Sequence, residues 1–244
     1  MKLRHIALSI LAAASMASAQ AADFSVLFNT SYNAAAHTNV IAPGTLTANG
    51  LVFGEGAGVS LLNVINGGEY TIDTTFRLDV TAYWRKLVDF KARGSDNGLY
   101  ENDGRISFYT DSLLTDGSST NFVPGQDIRL TITRSAGNIV TAYLNGAEEF
   151  SFDDAAGDAV FNGNDHVANF FFDDLVSNGY ERSPGVVRYI QVFNHALSAD
   201  DVIALGDARI VGDTPTGNVP EPTTVALMLA GAMTVTSLMK RRRA

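Results

Sequence analysis

The chain has 244 residues, no cysteine, one tryptophan and a formal charge of −9. The missing thiols exclude disulfides, cysteine-ligated metals and thiol catalysis, so the fold rests on its core alone. The acidic balance excludes a nucleic-acid partner, which would require a basic footprint, while the length suits one domain with a sizeable core.

Lys2 and Arg4 precede an apolar run over 6–14, and Ala17-Ser18-Ala19 and Ala19-Gln20-Ala21 present small residues at a cleavage register. This order predicts a secretory signal helix at 1–21, removed on export. One domain follows over 22–208. Ile72, Thr74, Phe76, Leu78 and Val80 alternate with Asp73, Thr75, Arg77 and Asp79, the period of a strand with one wet face. Ile128, Leu130 and Ile132 repeat that pattern until Arg134 breaks it at a turn. Further strands are expected at 24–28, 45–53, 84–90, 105–109, 139–144, 168–172 and 186–193. Asp103-Gly104, Asn145-Gly146 and Ser135-Ala136-Gly137-Asn138 supply turn chemistry between them.

A single helix is expected in this domain. Ser198 with Asp201 three residues on makes a start like a capping box, Val202, Ile203 and Leu205 give an apolar face, and Gly206 is expected to end it. Many short strands with one brief helix predict an all-β fold, a two-sheet antiparallel jelly-roll sandwich. Residues 209–218 read as a linker rich in Gly, Asp, Thr and Pro. The last segment, 219–244, carries Pro220-Glu221-Pro222, an uncharged and mostly apolar run over 223–239, and Lys240-Arg241-Arg242-Arg243. At about 1.5 Å per residue that run spans roughly 26 Å, enough for a transmembrane helix held by its terminal cations. Lys2, Arg4 and the terminal four hold six of the 17 cations, and Glu221 one of the 26 acids. Residues 20–218 therefore carry 11 cations against 25 acids, a net charge of −14.

The tail resembles the PEP-CTERM sorting signal of exopolysaccharide-producing Gram-negative bacteria, carried by Pro220, Glu221, Pro222, the apolar run and Arg241, Arg242 and Arg243. The resemblance implies an exosortase-type processing protease as a partner, and export across the inner membrane to the cell envelope with transient anchoring. The domain carries a second resemblance. Thr131-Ile132-Thr133-Arg134 with Gly137, then Tyr143-Leu144-Asn145-Gly146, is similar to a hairpin of laminin-G-like, concanavalin A-like domains. Residues 188–194 followed by 196–201 resemble their closing strand and short helix. That likeness implies a jelly roll used for binding glycans or proteins, often with calcium.

Catalysis finds little support in the residues. Glu149 and Asp153 are the nearest carboxylate pair to a glycosidase motif. On one strand face they stand about 13 Å apart, too far for retention or inversion, and an exposed acidic face is expected. His37, His166 and His195 accompany no nucleophile elbow. Calcium, an oxygen-seeking ion, is better matched by Asp173, Asp174, Asn178 and Glu181 in one loop, with Asp89, Asp96 and Asn97 flanking a second. Sugar faces stack on rings, and the candidate rings are Tyr180 in that loop and Trp84, the latter also suited to core packing. Tyr83 and Trp84 in a strand would point to opposite faces. The expected role is a non-catalytic module that recognises polysaccharide or envelope glycan, with calcium as a possible cofactor. The alternatives are a structural matrix protein engaging other proteins, and a glycoside hydrolase of unrecognised type.

Overall fold

The computed structural model describes residues 21–161, 166–177 and 179–210, the side chains of 207–210 excepted. The signal helix, Asn178, the sorting motif with its arginines and the transmembrane helix over 223–239 lie outside the described residues. Among those described, no helix is long and apolar enough to cross a membrane.

In chain order the strands are β1 (Phe24–Leu27), β2 (Val40–Ile41), β3 (Thr45–Thr47), β4 (Gly50–Phe53), β5 (Val59–Leu61), β6 (Tyr70–Leu78), β7 (Arg85–Asp89) and β8 (Gly98–Asn102). They continue with β9 (Arg105–Thr110), β10 (Leu113–Asp116), β11 (Ile128–Arg134), β12 (Ile139–Leu144), β13 (Ala147–Asp153), β14 (Ala168–Phe170) and β15 (Gly185–Phe193), and helix α1 (Ala199–Ile210) follows. Two antiparallel sheets result. The first has the order β13-β12-β11-β6-β15-β4-β3, with β1 also beside β15, and the second β10-β9-β8-β7-β14-β5-β2. The neighbours β11, β6 and β15 are distant in sequence, so the chain crosses between sheets repeatedly. This is the two-sheet sandwich that the alternation predicted.

The core lies between the sheets. Ile72, Phe76 and Leu78 of β6 and Ile128, Leu130 and Ile132 of β11 face Leu87, Val88, Leu99, Ile106 and Phe108 of the second sheet. Each such side chain contributes about 1.5–3 kcal/mol by leaving water. The ring of Phe171 lies 4.8 Å from both Phe53 and Phe76.

Several expectations change in three dimensions. The single strand expected at 45–53 is a hairpin, with Thr47 paired to Gly50 across a two-residue turn. Asp73, expected on a wet face, is buried: its carboxylate accepts from Arg129 Nε and Thr131 Oγ1, both at 2.7 Å, and from the Tyr189 hydroxyl at 3.0 Å. The outer face of the first sheet is covered at that point because Val202 and Leu205 of α1 join Tyr143, Phe193 and Leu197 in a second small apolar cluster. Gly206 does not end the helix, which runs on to Ile210. A Cβ at this position would come within 2.5 Å of Arg129 Nη1, so the glycine admits a guanidinium that also donates to the Val202 carbonyl at 2.7 Å.

Arg134 marks no simple end of a pattern either. It is buried and pairs with Asp154 at 2.7 Å, while Asp154 also accepts from the backbone N–H groups of Asp158 and Ala159. Glu149, expected on an exposed acidic face, occupies a bulge of β13 and is buried. It accepts from Ser118 Oγ at 3.1 Å, Ser119 N at 2.9 Å and the Ser119 hydroxyl, which pins the loop after β10.

Candidate functional site

The site begins with a local reversal ahead of β7. Tyr83 has a left-handed backbone, φ 58°, in a bend rather than a strand. Strand alternation is lost there, and Tyr83 and Trp84 line the same concavity instead of opposite faces. Trp84 packs edge-on against Tyr100 at 5.2 Å and against Tyr109 at 5.6 Å, which makes it half-buried. Tyr83 is 76% exposed.

The facing wall is set by a second reversal. Phe171 is left-handed, φ 64°, which lets consecutive Phe170 and Phe171 both enter the core and then leads the chain out to Asp173 and Asp174. Asp174 Oδ1 accepts from the backbone N–H groups of Val176 at 2.8 Å and Ser177 at 2.5 Å, fixing a tight turn. The returning segment is tied to β7 twice. Lys86 N donates to the Glu181 carbonyl at 3.1 Å, and Arg85 Nη1 donates to the Tyr180 carbonyl. An open cleft of about 400 Å³ results, lined by Tyr83, Trp84, Arg85, Tyr180 and Glu181. The Tyr180 ring is 80% exposed.

Beneath the cleft the two acidic loops converge. Carboxylate oxygens of Asp96, Asp174 and Glu181 lie within 4.8 Å of one another, a spacing able to hold a metal ion. Lys86 enters the same place: its Nζ is 2.9 Å from Asp174 Oδ2 and 3.8 Å from Glu181 Oε2. Asp173 turns away, its carboxylate taking Arg182 Nε and the Ser177 hydroxyl at 3.3 Å each. Of the residues expected to bind calcium, Asp174 and Glu181 therefore come together, Asp96 stands where Asp173 was expected, and Asn178 lies outside the described residues.

Charge in this cluster is strongly organised. Burial would raise the Asp174 carboxyl, but N–H groups of Ser177 and Val176 and the Lys86 ammonium hold it well below the usual carboxylate range. Burial pushes Glu181 up to about 8; Lys86 lowers it, but Asp96, Asp174 and Asp173 raise it. The ammonium is engaged most closely by Asp174, and Glu181, farther from it, is the carboxyl that burial raises. On the neighbouring strand, burial pushes Glu101 up to about 7, with the Gly104 N–H opposing.

The sequence pointed to Trp84, Tyr180, Glu181 and Asp174 but not to Lys86 or Arg85 as members of the site. The available signal was Lys86 itself, a cation heading the apolar run Leu87-Val88. Tyr83 was hidden because its left-handed turn has no glycine or asparagine to announce it.

No protein-family model matches the chain, nor does any curated protein sequence. Solved structures do resemble it. The ligand-binding domain of botulinum neurotoxin serotype D, in complex with N-acetylneuraminic acid, has TM-score 0.55 at 16% identity over 78% of this chain and 51% of that one. Domain 4 of AbnA, a GH43 extracellular arabinanase from Geobacillus stearothermophilus, in complex with arabinotriose, has TM-score 0.50 at 16% identity over 68% of this chain and 81% of that one. Trypanosoma rangeli sialidase, in complex with 2,3-difluorosialic acid, has TM-score 0.50 at 16% identity, covering 71% and 30%. The chain spans about half the length of the toxin binding domain. At these identities the likeness is one of fold, and the described domain shares the two-sheet β-sandwich of these proteins.

Proposed function

We propose that this chain is an exported, non-catalytic carbohydrate-binding module, and that the cleft between β7 and the 171–184 segment is its site. The observation that carries this reading is the gathering of three rings, Tyr83, Trp84 and Tyr180, with one guanidinium and one carboxyl around an open cleft. Sugar C–H faces stack on exposed rings, and hydroxyl groups need fixed donors and acceptors beside them. Arg85 and Glu181 supply both. The volume lies within the range of small-ligand sites, about 300–1,000 Å³. Two neighbours of the same fold are seen with sugars, N-acetylneuraminic acid and arabinotriose, which supports the reading.

Export rests on Lys2, Arg4 and the small residues to Ala21, and sorting on Pro220, Glu221, Pro222 and the terminal arginines. In this reading an exosortase-type protease processes the tail, and the ligand is a polysaccharide or glycan of the cell envelope. Trp84 is the sole tryptophan, so its fluorescence reports the cleft directly. Titration with a panel of neutral and acidic oligosaccharides is expected to perturb that emission saturably, and Tyr180→Ala to weaken the response. A folded protein indifferent to the whole panel, yet captured by envelope proteins, would transfer the function to protein binding in a matrix. Hydrolysis of a panel member would return the enzyme reading.

A further inference from the structure

Asp96, Asp174 and Glu181 come from two loops, the first between β7 and β8 and the second between β14 and β15. Three carboxyl groups within 4.8 Å of one another repel when ionised, and a proton or a cation among them relieves that repulsion. The fold is shaped around one that it already contains. The Lys86 side chain is fully buried, pairs with Asp174 at 2.9 Å and Glu181 at 3.8 Å, and lies 3.4 Å from the Ser95 carbonyl oxygen. Its ammonium stands 5.0 Å from the centre of the Tyr100 ring. Gly98 makes room for its stem, since a Cβ there would come within 3.3 Å of Lys86 Cε and within 2.8 Å of the Val88 carbonyl oxygen. Acid, carbonyl, ring and vacated space thus converge on a single ammonium group.

We infer that Lys86 is a tethered cation that organises the cleft, performing with a covalently held charge the task a divalent ion performs in an oxygen cluster of this spacing. Both loops are drawn onto β7 by the same group. Glu181 lines the cleft, and Tyr180 precedes it, so the position of the wall facing β7 depends on Lys86 although its own side chain does not reach the cleft surface. Lys86 is in this sense a positioning residue. Ligand binding then needs no added metal, and the acid cluster becomes available to a divalent cation when the ammonium is removed. The last step, control of sugar affinity, rests on the carbohydrate reading; the cation behaviour does not.

The test uses terbium, which seeks the same oxygen ligands as calcium and is sensitised by nearby Trp84 and Tyr100. Wild-type protein is expected to give no sensitised emission that calcium displaces, and its thermal midpoint should be the same in calcium and in a chelator. Lys86→Met should acquire calcium-displaceable terbium emission and a midpoint that rises with calcium, whereas Lys86→Arg should behave as wild type. For a sugar found to bind, Lys86→Met should lose about tenfold in affinity and recover it on adding calcium, a loss equivalent to about 1.4 kcal/mol. Calcium-displaceable emission from the wild type would overturn the inference, and so would a folded Lys86→Met with no metal response. If Lys86→Met does not fold, Lys86→Gln, which removes the charge but keeps a polar side chain, is read in the same way and decides by the same outcomes. A panel without any binding sugar would remove the carbohydrate reading and leave the cation outcomes intact.

Discussion

Replacing Asp154 by alanine removes the counter-charge of a guanidinium that is only 5% exposed. Arg134 then keeps its bonds to the Gly68 carbonyl, Asn138 Oδ1 and the main-chain carbonyl of residue 154 but loses the carboxylate it pairs with. Breaking a buried pair from one side costs about 3–5 kcal/mol, because the surviving charge stays desolvated. The N–H groups of Asp158 and Ala159 lose their acceptor as well, so the upper end of that range is expected. Against a total stability of about 5–15 kcal/mol the domain remains folded but weakened. At about 2–4 °C per kcal/mol for a domain of this size, a loss of about 4 kcal/mol lowers the midpoint by about 8–16 °C. Arg134→Met should cost less, about 3 kcal/mol at the lower end of that range, since the Asp154 carboxylate stays buried but keeps two backbone donors. The double variant removes both charges and should be more stable than the sum of the single losses implies, by about 2 kcal/mol. Urea unfolding of the four proteins measures each quantity. Additive losses, or an Arg134→Met variant less stable than Asp154→Ala, would show that the pair is not the restraint described.

Tyr180→Ala should leave stability within about 0.5 kcal/mol, because the ring is exposed, yet lower affinity for a bound sugar by about 2–12-fold, the equivalent of a stacked ring at about 0.5–1.5 kcal/mol. Unfolding free energy should fall as pH rises from about 4.5 to about 8. Glu101 and Glu181 hold their protons more tightly folded than unfolded, so their contribution is complete below the unfolded carboxyl range and is lost as pH passes about 7 and then about 8. Glu101→Gln and Glu181→Gln should each flatten that slope in denaturation series across pH, and an unchanged slope in both would contradict the burial assigned to these groups. Gly206→Ala should fail to deliver the stabilisation of about 1 kcal/mol usual for this change inside a helix, because its Cβ meets Arg129 Nη1. In an Arg129→Ala background the same change should stabilise, which differential calorimetry of the matched pairs would reveal.

Strand positions were legible wherever one face meets the core and the other meets water. Ile128, Leu130 and Ile132, and the run 139–144, emerge almost residue for residue. The short strands β2, β5 and β10 were not legible, since two to four residues hardly display a period, whereas the equally short β1 and β14 lie in runs rich in apolar and aromatic residues. Asp73 misled for a different reason: its polarity matches an exposed face, but burial there is decided by Arg129, Thr131, Tyr189 and α1, which arrive from elsewhere in the chain. Glu149 was misplaced because a bulge shifts its strand by one residue.

The candidate site divides along the same line. Residue chemistry alone pointed to an all-β sandwich, to aromatic and acidic residues around 173–181, and to Trp84, because composition and period are local properties. Convergence is not local. That Asp96 meets Asp174 and Glu181, that left-handed Tyr83 shares a cleft with Trp84 and Tyr180, and that Lys86 fills the acid cluster all follow from the pairing of β7 with β8 and β14. Strand pairing between distant segments depends on the whole core, so these contacts, and the chemistry they permit, belong to the folded domain.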